Sequence, residues 1–218
     1  MASVVRFGDL RSESLGDWLR VFARYPSPRI VAVALAAVTA ARLALGSWGW
    51  ADVIVVAGFV VAQPFTEWLT HVNVLHFRPR TVFGWRVDPY LARKHRRHHG
   101  DPYDVGLLFI PTRALVGIMA GGAVIYTIAF PTHQLRLTAA MIALSLTLGY
   151  EWTHFLIHST WRPRSRLYRH VWRAHRLHHF KNENYWFGVT MHAADHLLGT
   201  FPDISAVETS PTCRALAS

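Results

Sequence analysis

The chain contains one cysteine, Cys213, close to its carboxyl end. That excludes an internal disulfide framework and any cysteine-based metal site, and it fits a reducing compartment. Charge is also scarce: 17% of residues are Asp, Glu, Lys or Arg, against 51% hydrophobic. What charge there is leans one way, with 23 Lys and Arg against 13 Asp and Glu, a formal +10. An apolar yet basic chain fits helices in lipid with cationic residues at the membrane surface. Nucleic acid is the other common partner of a basic chain, but no aromatic–basic recognition module is present. No cleavable signal peptide is read, because Arg6, Asp9, Arg11, Glu13, Asp17, Arg20 and Arg24 interrupt residues 1–24.

At 218 residues the length suits one domain. Four apolar stretches stand out: Ile30–Trp48, Trp50–Thr66, Leu107–Phe130, and Leu137–Tyr150 continuing to Ile157. A helical span needs roughly 20 apolar residues, and the first stretch reaches that if Arg42 snorkels to the nearby interface. The stretches read as two hairpins with tight connections at Ser47–Ala51 and Pro131–Arg136. Basic residues gather in three segments: before the first span, after the second (Arg78 to Arg97) and after the fourth (Arg162 to Lys181). The positive-inside rule then places all three, with both termini, in the cytoplasm. Four buried helices of a soluble bundle are the alternative. Ahead of the first span, Leu15, Trp18, Leu19, Phe22 and Tyr25 recur at helical spacing behind a Ser14/Asp17 capping box. This segment reads either as an interfacial helix or as a helix packed on the domain.

Twelve of the fourteen histidines fall in tight clusters. Imidazole is a common metal ligand suited to iron, copper, nickel and zinc. The clusters also repeat. Glu67-Trp68-Leu69-Thr70-His71, with His76 beyond it, ends the second span, and Glu151-Trp152-Thr153-His154, with His158, ends the fourth. Each pair is followed by a triplet, His95, His98 and His99, then His175, His178 and His179. Two such halves predict one cage of ten imidazoles at the cytoplasmic ends of the spans. His154 and His158 share a helical face, as does each triplet. His71 and His76 are about 140° apart on an ideal helix, so the helix should unwind or widen there.

His133 reads as a surface residue of the far loop, and His170 as surface or supporting. His192 and His196 lack a counterpart in the first half and stay open as extra ligands, supporting groups or structural residues, with Asp195 between them. Glu67 and Glu151, one turn ahead of the pairs, are placed to accept the ligands' other N–H; an ion pair with an arginine is the alternative. The tail after Thr200 carries no signal.

Ten imidazoles exceed the capacity of one ion, so two metals are expected. Ligand type leaves iron, zinc and copper open. No Asp or Glu lies inside the four paired clusters, which argues against a hydrolytic dizinc site. The membrane setting favours redox chemistry, in which diferrous iron reduces dioxygen and an unactivated C–H bond is oxidised. A metal transporter or storage protein would want ionisable residues at mid-span, and the spans have almost none.

In these four histidine boxes, and in Gly188-Val189-Thr190 and Asp195 to Gly199-Thr200, the sequence resembles the fatty acid hydroxylase/sterol desaturase superfamily of membrane di-iron enzymes. Its box spacing is most similar to fatty acid 2-hydroxylases. The resemblance implies an all-α integral membrane fold, with four transmembrane helices in two hairpins and a cytoplasmic helical cap holding a dimetal site. It implies two iron ions, with zinc admissible in a recombinant preparation, and the ten histidines His71, His76, His95, His98, His99, His154, His158, His175, His178 and His179 as ligands. The expected reaction is dioxygen-dependent hydroxylation of a lipid acyl chain, next to the carboxyl or amide carbon. Sterol or carotenoid hydroxylation, or desaturation, is the nearest alternative. Some members carry a fused cytochrome domain, and this chain leaves no room for one. A separate electron donor of cytochrome or ferredoxin type is therefore expected on the basic face Arg93–Arg97 and Arg173–Arg176. The division is one domain: an interfacial segment (1–28), first hairpin (29–70), first histidine-box segment (71–105), second hairpin (106–153), second box segment (154–200) and tail (201–218).

Overall fold

A computed structural model describes residues 5–10 and 14–213. Arg11 and Glu13 of the amino-terminal segment, and the tail after Cys213, lie outside them.

Ser14 and Asp17 form the expected reciprocal cap, and start helix α1 (Leu15–Phe22). Its apolar face is occupied by protein. Trp18, Val21 and Phe22 are buried, and the Trp18 and Phe22 rings meet Phe155 at 5.9 and 5.5 Å. Leu15 and Leu19 stay exposed. Helix α2 (Pro26–Leu45) has proline in its first turn, where the missing N–H costs no hydrogen bond. Helix α3 (Trp50–Thr70) continues into a single wide turn, His71–Leu75, closed by the His76 N–H on the His71 carbonyl at 2.9 Å. The widening expected at the first histidine pair is thus present as a π turn.

A hairpin then departs from the all-helical expectation. Strands β1 (Arg80–Val82) and β2 (Trp85–Val87) pair antiparallel around Phe83 and Gly84, both at positive φ. That is the backbone a two-residue hairpin turn requires. The connection was too short for periodicity to reveal. Helices α4 (Tyr90–Gly100) and α5 (Val105–Leu108) follow, then α6 (Thr112–Ala129), α7 (His133–His158), α8 (Arg166–Phe180) and α9 (Ala193–Leu197). The third apolar stretch is therefore not one helix; it breaks at Phe109–Pro111, where Pro111 caps α6.

Helix α7 lies along α2 and α3 and also touches α6. Three segments are long and apolar enough to cross a membrane: Pro26–Leu45, Trp50–Leu75 and Val105–Ala129. They keep most of their surface outward, with Val33, Ile54, Val61 and Ile128 all exposed. Such faces are unfavourable in water and suited to lipid. Helix α7 has the length, at 26 residues, but both its ends are polar: His133, Gln134 and Arg136 begin it, and Glu151, His154 and His158 end it.

Arg42 corrects an expectation. It does not snorkel but is fully buried. Its guanidinium pairs with Asp52 at 2.8 Å, donates to Thr138 Oγ1 at 2.8 Å and to the Gly46 carbonyl at 2.6 Å, and lies over the Trp48 ring. A charge that finds a carboxylate within the bundle has no need of the interface. The pair ties α2, α3 and α7 together at the end opposite the histidines.

Candidate metal centre

The ten histidines of the four boxes converge, but as two groups of five rather than one cage. One group is His71, His76, His95, His99 and His178; the other is His98, His154, His158, His175 and His179. Within each, one ring nitrogen per residue lies within 4.8 Å of all the others. All ten are buried except His76, which is half-buried.

Helix geometry explains the membership. The span end gives each group its pair: His71 and His76 across the π turn, His154 and His158 at i and i+4. The following helix gives an i, i+4 pair, His95 with His99 from α4 and His175 with His179 from α8. The middle histidine of each triplet is about 100° round from its neighbour, and it faces the other half. His98 therefore joins the α7–α8 group, and His178 joins the α3–α4 group. Where the halves meet, the His99 and His179 rings stack at 4.1 Å.

The donor set fits metal ions. His95 Nε2 lies 3.0 Å from His71 Nε2, 3.2 Å from His76 Nε2 and 3.1 Å from His99 Nε2. One N–H can serve only one of those acceptors, so the remaining lone pairs face each other unless a cation lies between them. Two nitrogens each ~2.1 Å from one ion and at right angles around it stand ~3.0 Å apart, which is the spacing seen. In the second group both ring nitrogens of His98 and of His158 are buried with no hydrogen-bond partner among the described residues, a costly state for polar atoms that a ligand relieves. Burial, reinforced by neighbouring imidazoles, holds His95, His98, His175, His178 and His179 well below the usual histidine range. Burial likewise pushes His99 down to about 4. The rings are thus neutral near pH 7, the form that binds metal.

Backbone carbonyls orient the rings. Nδ1 of His71 meets the Phe187 carbonyl at 2.5 Å, His178 that of Tyr185 at 2.8 Å, His99 that of Cys213 at 3.0 Å and His154 that of Leu108 at 3.3 Å. A carbonyl only accepts, so Nδ1 carries the hydrogen and Nε2 offers its lone pair to the group.

The acidic residues act one step further out. Glu67 accepts from the Val189 and Thr190 N–H groups at 3.0 and 2.9 Å, from the Thr190 hydroxyl, and from Gln63. Asp195 accepts from the Phe187 and Gly188 N–H groups at 2.9 and 2.7 Å, and from Thr200 Oγ1 at 2.7 Å. Together they secure the strap 185–190, whose carbonyls hold His71 and His178. Glu151 accepts from Ser27 Oγ and the Ile110 N–H. The hydrogen bonds of Glu67 and Glu151 thus go to hydroxyls, an amide side chain and backbone N–H groups, where the sequence had suggested histidine or arginine. His192 and His196 stand outside both groups, packed on Phe201 at 5.2 and 4.2 Å, with the exposed His170 stacked on the same ring. His133 is exposed at the start of α7.

The orienting carbonyls were invisible in the sequence, since any residue can supply one. The tail is the clearest case: it packs Val207 and Cys213 into the fold and reaches His99. Gly188 leaves a trace, because a Cβ there would fall 2.3 Å from the Met191 carbonyl oxygen.

Cavities border the centre. The first, about 470 Å³, runs between α2, α3, α6 and α7; Val38, Leu115, Met119 and Leu144 line it, and His71 and Tyr150 close one end. A smaller one of about 140 Å³ borders Lys94, His95, His98 and His154. Another, about 440 Å³, is lined by Arg6, Arg162, Arg176 and His158.

Residues 56–200 match the fatty acid hydroxylase family, and the chain belongs to it. Among characterised relatives it is 26% identical over 157 residues to the dihydroceramide fatty acyl 2-hydroxylase FAH2 of Arabidopsis thaliana, and 28% identical over 157 residues to FAH1 of the same plant. Each match covers 70% of this chain but 62% of the relative. The fold is similar to the structure described as full-length scs7p with only the hydroxylase domain visible, with a TM-score of 0.66 and 22% identity over 90% of this chain and 74% of that one.

Proposed function

We propose that the chain is an integral-membrane di-iron monooxygenase that hydroxylates a lipid acyl chain at the carbon next to its carbonyl. The observation that carries this reading is the apolar 470 Å³ cavity ending on His71, a member of one five-imidazole group. Two iron ions, held by the ten histidines, would supply dioxygen activation, with electrons from a separate cytochrome- or ferredoxin-type donor. The protein's part is placement. Carbonyl-oriented imidazoles fix the ligand lone pairs, and the apolar walls exclude water and keep an acyl chain extended toward the centre. The names of the Arabidopsis relatives support acyl 2-hydroxylation.

In this reading α7 is the fourth span, its polar ends reaching both interfaces, and the histidine groups face the cytoplasm with the basic segments. The exposed Arg93, Arg97 and Arg173 would receive an acidic donor surface. The test is lipid profiling of cells expressing the wild type or His178→Ala. Acyl chains one oxygen heavier should appear with the wild type and be absent from the variant. Equal product in both would refute the proposal.

A further inference from the structure

Lys94 follows none of the rules that place its neighbours. It sits one residue before His95, about 100° round the helix from the inward face. Its side chain nevertheless reaches the break between α5 and α6, where Nζ donates to the Phe109 carbonyl at 2.6 Å. The N–H of that same peptide group, from Ile110, donates to Glu151 Oε1 at 3.0 Å. One peptide unit is thus held between an ammonium on its oxygen and a carboxylate on its hydrogen, each at the end of the dipole that suits it. The arrangement fixes both the break and the lysine. An ammonium has three donors, and the Phe109 carbonyl takes one.

The place where Lys94 is fixed matters. The 140 Å³ cavity beside it touches His95 of one group and His98 and His154 of the other, so it borders both. It shares Thr70, Leu75, Ile110, Ile118 and Tyr150 with the 470 Å³ cavity. The two spaces therefore adjoin along common walls. The large one suits an apolar chain and the small one holds a cation among otherwise mainly apolar neighbours such as Leu91, Leu107 and Leu108. An acyl chain lying in the large cavity would present its carbonyl end in the small one. The carbon next to C1 would then lie in the space that His95, His98 and His154 border.

We propose that Lys94 binds the C1 oxygen of the acyl substrate, a carboxylate or an amide carbonyl, and thereby selects the adjacent carbon for oxidation. This rests on the acyl hydroxylase reading above, and it adds the residue that recognises the head of the chain. A free fatty acid and an N-acyl lipid present the same acceptor, and the binding measurement separates them.

The experiment uses the full chain purified in detergent, as wild type, Lys94→Met, Lys94→Gln and Lys94→Arg. Gln keeps a donor for the Phe109 carbonyl while removing the charge, so a loss shared by Met and Gln is not a folding loss. Displacement of a fluorescent acyl probe is measured with palmitate, with the N-methylamide of palmitate, and with hexadecyl methyl ether, which lacks the carbonyl. The wild type should bind palmitate or the amide about tenfold or more tightly than the ether, the expected worth of a hydrogen bond to a charged group. Met and Gln should lose that preference, Arg should restore it, and bound metal should be equal in all four. In turnover the wild type should oxidise C2 alone, while Met and Gln spread oxidation to C3 and beyond with raised KM. Unchanged head preference in both Met and Gln, or oxidation still confined to C2 at unchanged KM, overturns the proposal. If the metal-loaded wild type oxidises no acyl chain, the hydroxylase reading fails while the binding measurement still decides the role of Lys94.

Discussion

Gly188 is the position where one methyl group should do most damage to the metal centre without touching a histidine. A Cβ there would lie 2.3 Å from the Met191 carbonyl oxygen and 2.8 Å from Asp195 Oδ2. Neither neighbour is free to yield. The first is backbone, and the second accepts the Phe187 and Gly188 N–H groups and the Thr200 hydroxyl. Gly188→Ala must therefore displace the strap by about 1 Å. Overpacking of this kind costs roughly 1–3 kcal/mol, and losing one hydrogen bond to the buried carboxylate adds about 1.5–3 kcal/mol. The shift carries the Phe187 carbonyl away from His71 Nδ1. Loss of such an orienting contact lowers metal affinity roughly 10- to 100-fold. The assay is competition for bound metal against a chromophoric chelator, alongside thermal unfolding, with Gly121→Ala as control because a Cβ there meets nothing within 4 Å among the described residues. Wild-type affinity and stability in Gly188→Ala would show that the strap does not position His71.

The crossed histidines predict a pattern in double variants. His95→Ala with His178→Ala removes two ligands from one group and should leave about half the metal. His95→Ala with His98→Ala removes one ligand from each, and both ions should bind more weakly; metal analysis of the purified variants reads the difference. Arg42→Ala leaves Asp52 buried without its counter-charge, held only by the Thr138 hydroxyl and the Gly49 N–H, a loss of about 3–5 kcal/mol. Arg42→Met with Asp52→Leu should recover most of it, as measured by unfolding in detergent. Ending the chain after Ser210 removes the Cys213 carbonyl from His99. Metal affinity should then fall about tenfold, with helical content by circular dichroism unchanged.

How much was legible in advance varies with the range of the signal. The paired boxes, the α1 cap and the widened turn before His76 are local: residue spacing and ideal helix geometry fix them within a few turns. The apolar stretches showed where helices run, because burial in lipid needs an uninterrupted side-chain pattern. Arg42 misled for the same reason. Its position along the helix suggested an interface, while its partners Asp52 and Thr138 come from two other helices.

The sequence by itself determined the candidate ligand set: ten imidazoles in two similar halves, a single cysteine outside the clusters, and a basic, apolar chain to carry them. Only the tertiary structure decided that the ten divide into two fives, with His98 and His178 exchanged between halves, since which face of a helix meets which neighbour depends on packing. It also decided what aims the rings. The acceptors are carbonyls of Phe187, Tyr185, Leu108 and Cys213, and a carbonyl belongs to every residue alike, so nothing in a string of side chains can mark the four that matter.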